Sequence, residues 1–165
     1  MTDLKSKKLI VYAFFAVYLA AACYLLFFMR RSVWEYYTYG EYFRKNTNFV
    51  PFLTIKEYIG YLKTDDEIFG DVSFVNIWGN FIVLLPAGIF FPAVWKKQRS
   101  FAAFALTITA VTVGIESVQF LTMCGSCDID DLILNVTGAL LGFWFTKLKI
   151  VRRLTFTDIG FEKGE

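Results

Sequence analysis

Carboxylate and amide side chains recur at helical spacing inside three apolar segments of this sequence. The three pairs are Asn76 with Asn80, Glu116 with Gln119, and Asp131 with Asn135. Side chains three or four residues apart lie on one face of a helix, so each segment has a polar face. Such groups are costly in contact with lipid, and we expect the three faces to meet in one layer, in the outer third of a membrane.

Glu116 is the most unusual member of this layer, because residues 101–123 contain no other charged side chain. A carboxyl group held away from water either stays protonated or finds a cation or hydrogen-bond donors. Asp128 and Asp130 add two carboxylates just before Asp131, at the expected mouth of the layer. The sequence therefore predicts a polar pocket, whose candidate ligand-binding residues are Asn76, Asn80, Glu116, Gln119, Asp128, Asp130, Asp131 and Asn135.

Three kinds of chemistry fit such a pocket. Oxygen ligands suit Mg²⁺ or Ca²⁺, although the spacing is not that of an EF-hand loop. A carboxylate of Glu116 or Asp131 can act as general base or nucleophile on a lipid headgroup, or the pocket can simply bind that headgroup. The candidate metal ligands are Asp128, Asp130, Asp131 and Glu116. The sequence contains no histidine and no phosphate-binding glycine loop, so we expect no cofactor, with a divalent cation as the open alternative.

Cys124 and Cys127 form a CxxC motif after the third apolar segment. Outside the cytoplasm such a pair can form a local disulfide or remain as two thiols. A zinc site would need two further soft ligands, and the sequence has neither a second CxxC motif nor a histidine. A disulfide, two free thiols and a metal site all stay open.

The composition is that of an integral membrane protein. Hydrophobic residues make up 56% of the 165 residues, and the mean hydropathy is +0.49. Four apolar segments, residues 9–29, 73–95, 101–123 and 132–148, predict four transmembrane helices in one all-α, polytopic domain spanning residues 1–165. The first segment is too long for a cleaved signal peptide, and we interpret it as a retained helix.

Lysine and arginine are more frequent at the ends of these segments that share a side with the N-terminus, which predicts that both termini are cytoplasmic. Residues 32–72 then form an outer loop, and residues 151–165 form a cytoplasmic tail. The loop opens with an aromatic cluster and continues into residues 54–62, where Thr54 and Glu57 predict a capping box for a short amphipathic helix. We expect this helix to lie in the outer membrane interface.

Small and cyclic residues mark two further helices. Gly138 and Gly142 form a GxxxG motif in the fourth segment, which permits close packing within the molecule or a contact between copies of the chain. Pro86 and Pro92, together with Gly88, predict a bend in the second segment.

Four motifs in a fixed order resemble the VanZ-like family of bacterial membrane proteins. They are Asn48-Phe49-Val50-Pro51-Phe52, Asn76-Ile77-Trp78-Gly79-Asn80 with Leu85-Pro86-Ala87-Gly88, Glu116-Ser117-Val118-Gln119, and Asp128-Ile129-Asp130-Asp131 with Asn135 and Gly138. The resemblance implies a bacterial plasma-membrane protein that handles envelope lipids or cell-wall precursors, and the family's namesake is associated with teicoplanin resistance. Members often carry an arginine shortly before the first aspartate, where this chain has Cys124-Gly125-Ser126-Cys127.

The leading hypothesis is a protein that binds a lipid headgroup or a lipid-linked wall precursor in an outer-leaflet pocket. Glu116 and Asp131 would be its central groups, oriented by Asn80, Gln119 and Asn135, and no nucleic acid is an expected partner. One alternative is a membrane hydrolase or transferase that uses Glu116 and Asp131 on a phospholipid or undecaprenyl-linked substrate. A second alternative is a structural or partner-binding subunit that uses the face of Gly138 and Gly142 for oligomerisation.

Overall fold

The structure is a computed structural model that describes residues 2–29, 38–63, 67–155 and 157. The helices are α1 Thr2–Cys23, α2 Tyr39–Lys45, α3 Leu53–Tyr61, α4 Glu67–Val83, α5 Leu85–Val94, α6 Phe101–Leu121, α7 Ile129–Phe145 and α8 Lys149–Leu154. A π-helical turn, Tyr24–Phe28, extends α1, and a 3₁₀ turn, Lys96–Arg99, joins α5 to α6. Two short strands, β1 Thr47–Asn48 and β2 Cys127–Asp128, pair in parallel.

Among the described residues, three helical stretches are long and apolar enough to cross a membrane: Ser6–Phe28, Phe69–Val94 and Phe101–Leu121. They correspond to the first three predicted segments, and the chain is a largely helical membrane protein. The second helix begins at Glu67 rather than at residue 73, and α7 begins at Ile129 rather than at residue 132. Asp130 and Asp131 therefore lie in the first turn of α7.

The predicted bend in the second segment is confirmed, because α4 and α5 are separated at Leu84. Pro86 has no N–H to donate, and the Ala87 N–H turns to the Leu84 carbonyl at 3.0 Å. The Val83 carbonyl accepts a hydrogen bond from the Tyr18 hydroxyl at 3.0 Å. The bend thus supplies an attachment point for α1.

Removing the Tyr18 hydroxyl is expected to weaken the attachment of α1. Tyr18→Phe leaves the ring in place and should lower the free energy of unfolding by about 1 kcal/mol, the usual contribution of one such hydrogen bond. Unfolding in a titration of mixed detergent micelles with SDS measures the change. Tyr24→Phe is the matched control, because Tyr24 directly follows the same helix and is 60% exposed; equal loss in both variants would contradict the prediction.

Glycines bring α7 into backbone contact with α4 and α5. A Cβ atom at Gly138 would overlap the Phe81 carbonyl, one at Gly142 would overlap the Leu85 carbonyl, and one at Gly88 would overlap the Ala139 carbonyl. The GxxxG face is therefore filled by α4 and α5 of the same chain. Gly138 and Gly142 therefore pack inside the molecule, and an oligomer contact through this face stays a prediction.

The core lies between α5, α6 and α7, and many large apolar side chains elsewhere are exposed. The buried apolar cluster contains Leu84, Ala87, Phe104, Ile108, Ala139 and Phe143. In contrast, Phe14 is 64% exposed, Leu106 76% and Trp144 67%. Large apolar side chains exposed along whole helices fit a lipid environment rather than water.

The segment between α1 and α4 contains the predicted short helix, but that helix starts differently from the prediction. The capping box of Thr54 and Glu57 is wrong: α3 begins at Leu53, after Phe52 with a φ of 65°, and it has no side-chain cap on its own chain segment. A capping box occurs instead at Thr38 and Glu41, at the start of α2. The aromatic residues of this loop at positions 34, 36 and 37 lie outside the described residues, as do residues 156 and 158–165 of the predicted tail.

Candidate functional site

The polar faces of α4 and α7 meet inside the protein. The Asn80 amide donates a hydrogen bond to the Asp131 carboxylate, and both side chains are buried. One turn further along α7, the Asn135 side chain donates to the Asp131 backbone carbonyl at 2.9 Å. Gly138, which allows the backbones to approach, follows one turn later. The predicted pairing of the second and fourth polar faces is thus present.

Two side chains on the polar face of α6, Gln119 and Glu116, interact with different parts of the protein. Gln119 is fully buried, and its side-chain amide donates to the Leu26 carbonyl at 2.7 Å, within the π-helical turn that extends α1. Glu116 is 5% exposed and lies one turn deeper. Its charge acts on Cys127: burial raises the pKa of the Cys127 thiol, and the negative charges of Glu116 and Asp128 raise that pKa further. Glu116 is therefore within electrostatic range of Cys127 in β2.

Asp130, in the first turn of α7, caps the start of α3. Its Oδ1 atom accepts the Phe52 N–H at 2.5 Å and its Oδ2 atom accepts the Ile55 N–H at 3.1 Å. These amides belong to the first turn of α3, where a helix lacks internal partners for its N–H groups and favours negative charge. Asp130 is 1% exposed.

Asp128 binds the segment between α1 and α4 through side-chain hydrogen bonds. Its carboxylate accepts hydrogen bonds from the Thr54 hydroxyl at 2.6 Å and the Asn48 amide at 3.2 Å. It also accepts the Asp130 N–H at 2.8 Å and so caps α7. We call Asp128 and Asp130 the loop anchor, because together with the β1–β2 pair they fix the segment between α1 and α4 to the start of α7. The structure gives them this structural role, and their place at the mouth of a ligand pocket stays a prediction.

The carboxylates do not converge as a metal site would require. Among the residues that the structure describes, no group of three or more His, Cys, Asp or Glu side chains could hold a metal ion. The oxygens of Asp128 and Asp130 receive N–H and O–H donors instead. Cys124 and Cys127 are free thiols in the structure, and the disulfide between them stays a prediction.

A groove runs along α4, between this helix and the π-helical turn that extends α1. Its upper part has a volume of about 630 Å³, and its lower part has a volume of about 360 Å³. Met29, Val75 and Asn76 line both parts, so the two adjoin. The upper part is also lined by Tyr42, Asn46, Asp71, Val72, Met123, Cys124, Gly125 and Ser126. The lower part is also lined by Leu25, Leu26, Gly79, Asn80 and Val83.

Two of the eight predicted ligand-binding residues line the groove. Asn76 and Asn80 line it, whereas Glu116, Gln119, Asp128, Asp130, Asp131 and Asn135 do not. Asp71 lines the groove but was not among the predicted ligand-binding residues. It is four residues before Val75 and eight before Gly79, so it shares their helical face. An earlier predicted start of the second helix would have included it. Asn46 and Ser126 are single polar residues of connecting segments, and no sequence pattern marks them.

The sequence model of the VanZ/LLP1 family matches residues 15–151. The chain belongs to this family. Comparisons with curated proteins and with solved structures gave no match. The part of the chain that matches VanZ/LLP1 contains the whole groove, the buried Asn80–Asp131 pair and the loop anchor. The N-terminal half of α1 lies outside it.

Proposed function

We propose that this VanZ/LLP1 protein binds a membrane lipid, or a lipid-linked precursor of the cell wall, in the groove between α1 and α4. The supporting observation is that a wide upper part adjoins a narrower lower part lined mainly by apolar residues. Asp71, Asn46 and Ser126 provide polar atoms at the upper end. Leu25, Leu26 and Val83 surround the lower end. This polarity matches that of an amphipathic lipid.

The depth of the groove agrees with one leaflet. From Asp71 to Val83, α4 rises ~18 Å at ~1.5 Å per residue, about half of the ~30 Å hydrocarbon core and its adjoining interface. Val75 and Gly79 are exposed on the surface of the helix, so the groove opens sideways toward the bilayer. A lipid could therefore enter from the leaflet without passing through water.

We place the groove in the outer leaflet of a bacterial plasma membrane, with four transmembrane helices and cytoplasmic termini. The 17 residues of α7 span ~26 Å and would form the fourth crossing. Basic residues gather at the opposite end of the bundle, among them Lys8, Lys96, Lys97, Lys147 and Arg153, which the positive-inside rule places in the cytoplasm. The short helices α2 and α3 would then lie in the outer interface.

In this proposal the buried side chains of Asp131 and Gln119 fix residues that line the groove. Asn80 lines the lower part and is fixed by Asp131. Gln119 fixes the π-helical turn that carries Leu26. A hydrophobic tail accommodated here would be the acyl chain of a membrane lipid or of a lipoglycopeptide such as teicoplanin, or the polyprenyl chain of a wall precursor. The second of these agrees with the resistance associated with the family's namesake.

Filling the lower groove is expected to abolish lipid retention. A Cβ atom at Gly79 meets no atom within 4 Å, so Gly79→Leu extends into the groove without a clash in the protein. Protein purified in mild detergent should lose its co-purifying lipid, and a photoactivatable diacyl lipid should label it about tenfold less, a difference of about 1.4 kcal/mol. Native mass spectrometry and labelling yield measure the two effects.

Gly114→Leu is the matched control for this experiment. Gly114 is an exposed glycine of α6 with no atom within 4 Å of a Cβ, and it does not line the groove. Lipid retention and labelling should equal those of the unmodified protein. A folded Gly79→Leu variant that retains and is labelled by lipid as strongly as Gly114→Leu would refute the proposed function.

A further inference from the structure

A small cavity lies at the opposite end of the bundle from the groove. Its volume is about 110 Å³, and it is lined by Lys8, Val11, Tyr12, Ala93, Val94, Lys96, Arg99, Thr155 and Thr157. Three segments far apart in the sequence form it: the start of α1, the junction of α5 with α6, and the residues that follow α8. Nothing in the proposed lipid groove requires this second cavity.

Positive charge dominates the described lining of the cavity. Lys8, Lys96 and Arg99 contribute three cations, and no acidic side chain is among the lining residues. Arg99 is held in place because its Nε–H donates to the Pro92 carbonyl at 3.2 Å, at the end of α5. An anion placed between these side chains is attracted by all three of them.

Two hydroxyl groups complete the cavity wall. Thr155 Oγ1 and Thr157 Oγ1 are 3.0 Å apart, and Thr157 is 6% exposed. The segment is folded back on α8, because the Thr157 N–H donates to the Arg152 carbonyl at 2.9 Å. The Thr155 hydroxyl donates to the Val151 carbonyl at 2.8 Å, and the Thr157 hydroxyl lies 3.4 Å from the Arg152 carbonyl. An anion in the cavity competes with these carbonyls for the hydroxyl hydrogens, which can rotate toward it.

We propose that this cavity binds a phosphate group, supplied by an anionic phospholipid of the leaflet that faces α8. Lysine acts as a point charge for phosphate and arginine as a planar donor, and both are present with two hydroxyls. Basic residues at this end also fit the positive-inside rule, but that rule does not require a cavity. The neighbouring cation Lys97 does not line it, so binding and general surface charge can be separated.

The test compares two double variants that remove the same charge from the same two segments. Lys8→Gln with Lys96→Gln neutralises the cavity, whereas Lys7→Gln with Lys97→Gln neutralises residues outside it. Each variant of the full chain is titrated with phosphatidylglycerol in phosphatidylcholine nanodiscs, and bound lipid is counted by native mass spectrometry. Lys8 and Lys96 are exposed side chains, so their replacement should leave the fold intact.

Both variants lose the general attraction of two lysines to an anionic membrane, about fivefold for each lysine. The cavity variant is expected to bind phosphatidylglycerol about tenfold more weakly than the control variant, because it also loses the direct lysine–phosphate contacts. Equal losses in the two variants, or no loss in the cavity variant, would overturn the proposal. Addition of inorganic phosphate distinguishes the sources: competition for the lipid shows that a free phosphate also fits, and absence of competition shows that the lipid is required.

Discussion

Replacing Gly138 with alanine is expected to cause a large loss of stability, although the substitution adds only one methyl group. The new Cβ atom would overlap the Phe81 carbonyl, which is backbone and cannot rotate away. Either α7 separates from α4 or the α4 backbone distorts, at a cost of about 3 kcal/mol or more. The Asn80–Asp131 hydrogen bond crosses the same interface and should weaken with it. SDS titration followed by tryptophan fluorescence measures the loss.

Gly114→Ala is the control, because a Cβ atom at this position meets nothing within 4 Å. Alanine has a higher helix propensity than glycine, so this variant should be unchanged or up to about 1 kcal/mol more stable. Gly142→Ala should resemble Gly138→Ala, since it would overlap the Leu85 carbonyl. Equal stability of the Gly138 and Gly114 variants would show that α7 does not pack on α4 through bare backbone.

Asp130→Ala is expected to release α3 and the residues before it from α7, while the long helices stay folded. The substitution removes both acceptors of the Phe52 and Ile55 N–H groups. Hydrogen bonds to a charged group contribute about 1.5–3 kcal/mol each, so the docking of α3 should lose about 3 kcal/mol. Hydrogen exchange of the amides of α3, Leu53–Tyr61, should then become about 100-fold faster.

Two internal comparisons make this result specific. The amides of α6, Phe101–Leu121, should keep their protection, because the loop anchor does not hold that helix through hydrogen bonds. Glu57→Gln removes an exposed carboxylate from α3 itself and should leave exchange unchanged. Unchanged exchange of α3 in Asp130→Ala would mean that the anchor does not determine its position.

The helices and their close packing could be predicted from the sequence, because these depend on local composition. Uncharged runs of membrane length predicted the long helices, Pro86 predicted the bend, and Gly138 with Gly142 predicted a close backbone contact. The predicted ends of the helices were less accurate. The second helix starts at Glu67 because polar residues such as Asp71 are tolerated in its first turns at the interface, whereas a hydropathy pattern places the boundary only where the apolar run begins.

The partners of the polar residues could be predicted only in part. Asn80 and Asp131 pair as helical spacing suggested, since both lie in helices whose faces must be buried together. Asp128 and Asp130 were assigned to a ligand, but their partners are donors of residues 48–55. Those contacts depend on how a loop folds back across the bundle, and nothing in local spacing encodes that path.

Two hydrogen bonds that attach α1 and its π-helical extension have main-chain oxygens as acceptors, at Leu26 and Val83. Both residues also line the lower groove. Because a carbonyl oxygen is present whatever the side chain, either residue can change to an apolar residue of another shape without loss of the attachment. Homologues can therefore diversify the inner surface of the groove, and with it the hydrophobic tails they accommodate, while the first helix keeps its place.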